Sequence, residues 1–149
     1  MKQKNTSRWL IGILALCMLI SMVACKEEPS NTVPATGNSL WDGATYRENA
    51  EVGQGKTRFE LQVTAGDKSI VLTVRTDKTN LAEALLEYRL VEGDDGAYGL
   101  YVKKVIGITA DYDVDQSWWG LNQNGEPMMS GVSGVTVAEG ARYELIYSK

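Results

Sequence analysis

The sequence predicts an α+β domain of β-grasp-like layout, a mostly antiparallel sheet with one packed helix, and three observations predict it. Phe59, Leu61 and Val63 alternate with Glu60, Gln62 and Thr64, and Ile70, Leu72 and Val74 alternate with Val71, Thr73 and Arg75. A period of two is that of a half-buried strand, and Gly66-Asp67 between the runs makes them a hairpin. The period then changes. Leu81, Leu85 and Tyr88 recur at spacings of four and three, behind Asn80 as a helix cap with Glu83 three residues on as its partner. Short alternating runs follow to the end of the chain, and two strands, one helix and several strands is an α+β order.

The helix is expected to run to about Arg89 and to give way to a loop over Val91-Glu92-Gly93-Asp94-Asp95-Gly96. Tyr98, Leu100 and Val102 alternate as a strand, and Val105, Ile106 and Ile108 around Gly107 read as another short one. The polar run Asp111 to Gln116 is expected to be a loop. Ser117 to Gln123 reads as a strand carrying Trp118, Trp119 and Leu121. Asn124-Gly125 is the strongest two-residue hairpin signal in the chain. Met128-Met129 starts the return, Glu139-Gly140 turns again, and Tyr143, Leu145 and Tyr147 alternate in a closing strand. No internal repeat is visible.

Upstream of this domain the chain has a different character. Lys2, Lys4 and Arg8 form a positive stretch, and Trp9 to Val23 is almost wholly apolar. That is the n-region and h-region of a signal peptide, and it is short for a membrane-spanning helix of about 20 apolar residues. Ala24-Cys25 at its end resembles the lipobox of bacterial lipoproteins, with Met22 where that pattern prefers Leu. The resemblance implies diacylglycerol on the Cys25 thiol, cleavage after Ala24, and attachment to the outer face of the cytoplasmic membrane. Residues 25–56, rich in Gly, Ser, Thr, Asn and Glu with Pro29 and Pro34, read as a flexible tether. Trp41 and Tyr46 interrupt it and are expected to dock loosely on the domain or to have no role, with a share in a binding surface as the alternative. The expected organisation is therefore a signal peptide over 1–24, a tether with lipidated Cys25 over 25–56, and a domain over 57–149.

Composition removes several function classes. Without residues 1–24 the chain carries 12 basic and 19 acidic side chains, a net charge of −7. Such a surface is a poor match for nucleic acid, whose recognition rests on clustered Lys and Arg. The chain has no His and two Cys, of which Cys17 leaves with the signal and Cys25 carries lipid. Ser-His-Asp and Cys-His catalysis and His-ligated zinc or iron are thereby excluded, and the chain is expected not to be an enzyme.

Three constellations remain. Trp118 and Trp119 are strand neighbours, which point to opposite faces, so one indole enters the core while the other is free to contact a flat apolar ligand or a protein. Trp119 is expected inward with Leu121, and Trp118 outward with Gly120 and Asn122. Asp111, Asp113 and Asp115 form an alternating acidic run. As an EF-hand loop it fails, because the sixth and twelfth positions hold Gln116 and Asn122 instead of Gly and Glu. A looser calcium site and a solvated acidic loop are the two readings left. Met128-Met129 suits either an adaptable apolar contact or core filling.

Gly99-Leu100-Tyr101-Val102, Val105-Ile106-Gly107-Ile108, Asp111-Tyr112, Trp118-Trp119, Asn124-Gly125-Glu126, Ser130-Gly131-Val132 and Glu139 to Tyr147 together resemble the transcobalamin C-terminal-like domain. With the upstream hairpin and helix, the resemblance spans about residues 57 to 149. It implies a small β-rich lobe of the kind that closes over a corrinoid opposite a helical barrel, which these 149 residues do not contain. It also implies ligand contacts at Trp118, Trp119, Met129, Ser130 and Gly131, with Trp119 as the ligand-side indole, and Met128 joins them as a candidate contact from the Met128-Met129 pair. Two functions stand. One is capture of cobalamin, another corrinoid or a similar flat nutrient for a transporter. The other is an adhesion module for a surface protein or glycan, and a calcium-binding surface domain is a weaker third.

Overall fold

The computed structural model of the protein describes residues 39–149, so the expected signal peptide and Cys25 lie outside the described residues. The fold is α+β and built mostly of strands. A mixed six-stranded sheet is assembled from β1 (Ala50–Val52), β3 (Lys68–Thr76), β2 (Thr57–Ala65), β9 (Arg142–Ser148), β7 (Trp118–Gln123) and β8 (Glu126–Pro127), in that order across the sheet. A second, antiparallel sheet consists of β4 (Val91–Gly96), β5 (Gly99–Val105) and β6 (Ile108–Thr109). Two short helices complete it, α1 (Leu81–Glu87) and α2 (Tyr112–Asp115), with a 3-10 turn at Val132–Gly134.

The hairpin forms as its alternation requires. Phe59, Leu61, Val63 and Ala65 of β2 and Ile70, Leu72 and Val74 of β3 are buried on one face. Each fully buried large apolar side chain contributes about 1.5–3 kcal/mol. The main sheet is mixed: β2–β3, β7–β9 and β7–β8 pair antiparallel, while β1 runs parallel to β3 and β9 runs parallel to β2. Tyr143 on β9 sets its ring edge-on to Phe59 at 5.4 Å between centroids, and its hydroxyl donates to the Thr136 carbonyl at 3.1 Å. The helix begins where expected. The Asn80 side chain accepts from the Glu83 backbone N–H, satisfying an orphan helix donor. It ends two residues earlier than expected, with Arg89 in left-handed backbone at φ 53°.

Three expectations are corrected. Val91–Gly96 is a strand, not a loop, held by pairing with β5. Tyr112–Asp115 is one helical turn capped by Asp111, whose side chain accepts from the Asp113 N–H. The packed body also begins upstream of Thr57: Ala50–Val52 is a strand, and Trp41 is buried with its Nε1–H donating to the Ala65 carbonyl at 2.9 Å. Tyr46 is partly buried against the same core. At Asn124-Gly125 the hairpin turn has φ of 50° and 85°, the left-handed pair that a two-residue turn of this hand needs. No helix among the described residues is long and apolar enough to cross a membrane.

Candidate functional site

β7 places the two tryptophans on opposite faces. Trp119 is 9% exposed and lies on the core side with Leu121, while Trp118 is 43% exposed on the solvent side. The pairing of β7 with β9 fixes this, with Trp119 opposite Tyr147 and Trp118 opposite Ser148. The Trp119 ring meets Tyr147 edge-on at 5.7 Å.

On the core side a narrow slot of about 100 Å³ opens between the two sheets. Leu100, Tyr101 and Val102 of β5 form one wall, Trp119, Leu121 and Leu145 the other, and Gly131 and Val132 close an end. A shallower hollow of about 340 Å³ runs along Gly96 to Tyr101 and shares Leu100, Tyr101 and Gly131 with the slot. Two large side chains of its lining stand in water, Tyr98 at 99% and Tyr101 at 45% exposure, and Met129, two residues before Gly131, is fully exposed. Isolated exposed apolar residues are ordinary, whereas a cluster rimming a cleft marks a contact surface.

Two hydrogen bonds hold the cleft together. The Leu100 N–H donates to Ser133 Oγ at 2.9 Å, and the Asn80 side-chain amide donates to the Ser133 carbonyl at 2.9 Å. The cap of α1 thus also anchors the segment carrying Gly131. The Trp119 indole nitrogen is shielded from water and finds no hydrogen-bond partner among the described residues.

Of the residues picked from sequence, Trp119 and Gly131 line the slot together. Met128 packs partly buried on the core, and Met129 and Ser130 are exposed in the segment leading to Gly131. Trp118 is on the opposite face, beside Tyr112 at 6.4 Å between ring centroids. The β5 wall, with Tyr98 and Tyr101, was not singled out. Its signal was one Tyr in the turn before β5 and another three residues on in the strand, which alternation cannot place on one surface.

The acidic run is not gathered as one ligand set. Asp111 caps α2 and lies 3.7 Å from Lys103, while Asp115 accepts from buried Ser117 and pairs with Lys149 at 2.8 Å. Among the described residues no three His, Cys, Asp or Glu side chains come together to hold a metal. The Lys149 hydrogen bond, then Ser117, holds the Asp115 carboxyl below the usual carboxylate range. The Asp94 hydrogen bond and the Asp111 charge raise Lys103, which lies 2.9 Å from Asp94.

The fold has a solved relative. A protein of Ruminococcus gnavus, provisionally described as a metal binding protein, is 32% identical with a TM-score of 0.59, and the match covers 63% of this chain and 98% of that one. The chain belongs to the same family as that Ruminococcus protein. Haptocorrin in complex with Cbi also matches, at 21% identity and a TM-score of 0.47, over 62% of this chain and 25% of the haptocorrin chain. The present chain thus spans about a quarter of haptocorrin's length. No family model and no curated protein matches by sequence.

Proposed function

We propose that the chain is a bacterial surface lipoprotein, tethered through Cys25 to the outer face of the cytoplasmic membrane, whose folded body binds a flat, partly apolar ligand and catalyses no reaction. The observation that carries the ligand reading is the slot with Trp119 in its wall, continuous with an aromatic-rimmed hollow. Binding sites for small molecules are typically apolar clefts of about 300–1,000 Å³ with few polar groups. Slot and hollow together are at the low end of that range, too small to enclose a macrocycle, so this body would grip one edge of a large ligand. The resemblance of the residues from Gly99 to Tyr147 supports a corrinoid as that ligand, delivered onward to a transporter. The β-grasp-like reading is supported by the β2–β3 hairpin, the helix α1 after it, and β9 running parallel beside β2. The metal binding ascribed to the Ruminococcus relative finds less support here, since the Asp111, Asp113 and Asp115 carboxylates do not converge.

Equilibrium dialysis of cobalamin against the purified mature chain tests the ligand reading. Saturable binding that weakens in Trp119→Phe supports it. No saturable binding of any corrinoid in a panel, or binding indifferent to Trp119→Phe, sinks the corrinoid assignment to this cleft. The anchor is tested separately by Cys25→Ser, which should release the protein or leave it unprocessed. Membrane retention with normal cleavage after Ala24 would refute it.

An interaction surface for a protein or glycan is the second reading, and one observation favours it. Tyr112 and Trp118 are both exposed on the face away from the slot, with ring centroids 6.4 Å apart. The two faces give the readings separate addresses.

A further inference from the structure

The Trp119 side chain is nine-tenths buried, lines the slot, and carries an N–H without an acceptor among the described residues. A buried donor left unpaired costs about 1–3 kcal/mol. The Tyr147 ring beside it is at most a weak π acceptor. The slot lining of Leu100, Tyr101, Val102, Leu121, Val132 and Leu145 has no cationic side chain. We propose that this indole N–H is the donor for a neutral carbonyl oxygen, of an amide, ester or ketone, borne on a short apolar arm of the ligand. The proposal rests on the cleft being a ligand site and names the chemistry that the site selects.

Size and charge both point to that group. The slot of about 100 Å³ exceeds several-fold the roughly 10–15 Å³ that one water needs, so it takes a handful of heavy atoms and excludes a ring system. A carboxylate arm would enter an apolar lining with no counter-ion, which is strongly unfavourable. An alkyl arm would fill the volume and leave the N–H unpaired. A neutral carbonyl on an alkyl stem satisfies both requirements. The N–H is shielded from water, so the arriving oxygen displaces no hydration there, and the arm must part the slot lining to reach it.

The test uses the mature chain labelled with nitrogen-15, probed with butyramide and with butyrate, with Trp119→Phe to assign the indole resonance. Butyramide should move the Trp119 N–H resonance downfield and saturably. It should bind at least about tenfold more tightly than butyrate, or about 1.4 kcal/mol, because the carboxylate would enter the apolar lining without a counter-ion. The Trp41 resonance, already bonded to the Ala65 carbonyl, should stay in place. Equal or tighter binding of butyrate, or a Trp119 resonance that butyramide leaves unmoved, overturns the proposal. If cobalamin binds the cleft while butyramide leaves that resonance unmoved, the carbonyl assignment falls and the ligand site stands. If neither binds, the ligand site falls and the carbonyl assignment with it.

Discussion

Trp41 and Trp119 are buried almost equally, 7% and 9% exposed, yet their indole N–H groups are treated in opposite ways. That of Trp41 donates to the Ala65 carbonyl, and the Lys68 ammonium lies 4.8 Å over its ring. Every part of that side chain is used by the fold. Trp119 has packing of comparable extent and an edge-on aromatic neighbour, but its N–H is unpaired. A side chain whose polar atom is satisfied internally is explained by stability. One that is buried with its donor unpaired beside a cleft is what the proposed ligand would complete. Burial alone does not separate the two; the fate of one hydrogen atom does.

The largest effects should come from removing either ring. Trp41→Ala and Trp119→Ala should each cost about 3–5 kcal/mol through lost burial and the cavity left behind. Thermal unfolding should show a fall in Tm of at least about 10 °C for both. A near-native melt for Trp41→Ala would mean that residues 39–56 are not part of the cooperative body.

The sharper contrast comes from Phe, which keeps one aromatic ring and removes the N–H together with part of the indole. At position 41 it strands the Ala65 carbonyl, costing about 1–3 kcal/mol beyond the lost ring volume. At position 119 it deletes a donor that had no partner, so the relief of that penalty offsets part of the lost packing. Denaturant titrations should therefore rank Trp41→Phe as the less stable of the two. Equal destabilisation would mean that the Trp119 N–H is paired in solution and would remove the ground for the proposed carbonyl partner.

How much of this was legible in the sequence follows the same division. The β2–β3 hairpin, the Asn80 cap and the Asn124-Gly125 turn were legible because each rests on a local rule: a period of two, a side chain bonding three residues on, a left-handed pair. The inward turn of Trp119 followed from its place beside Leu121. The strand at Val91–Gly96 was hidden because its sequence lacks apolar alternation. Pairing with β5 makes it a strand, and Gly93 is needed because a side chain there would collide with the Tyr101 carbonyl. Trp41 was hidden because a single aromatic in a polar stretch has no period. The slot was half legible, since one wall is the tryptophan strand and the other, Leu100 to Val102, reaches it only through tertiary packing.

Trp118 gives the next smaller effect. It is half exposed and touches Tyr112 in a tilted arrangement, so Trp118→Ala should change stability by under about 1 kcal/mol. Cobalamin binding at the slot should be unchanged, because the slot is on the other face of β7. Any protein or glycan partner found for the surface should lose affinity. A loss of cobalamin binding in Trp118→Ala would break the assignment of separate faces.

The smallest effect should come from the ion pair before β7, and it asks whether the two faces are independent. Ser117 is buried, accepts from the Asp111 N–H and donates to Asp115, which also pairs with Lys149 across from the strand start. This staple fixes where Trp118 begins, whereas Trp119 is positioned by its register with Tyr147. Lys149 and Ser117 depress the Asp115 pKa, so its stabilising contribution is present above the ordinary carboxylate range and lost as pH falls through that range and below. Asp115 raises the Lys149 pKa, so that contribution is present below the ordinary lysine range and lost only as pH rises beyond it. Both are in place near neutral pH. The pair is open to solvent, and salt screening keeps its share of the stability small. Asp115→Asn should accordingly flatten the acid limb of a Tm-against-pH curve slightly, with the difference from wild type shrinking in high salt. Among the indole resonances its effect should be confined to Trp118, because the staple directly adjoins that residue. Movement of the Trp119 resonance in Asp115→Asn would show that the acidic turn and the slot are coupled through β7, and the comparison of two independent faces would have to be replaced by that of one linked strand.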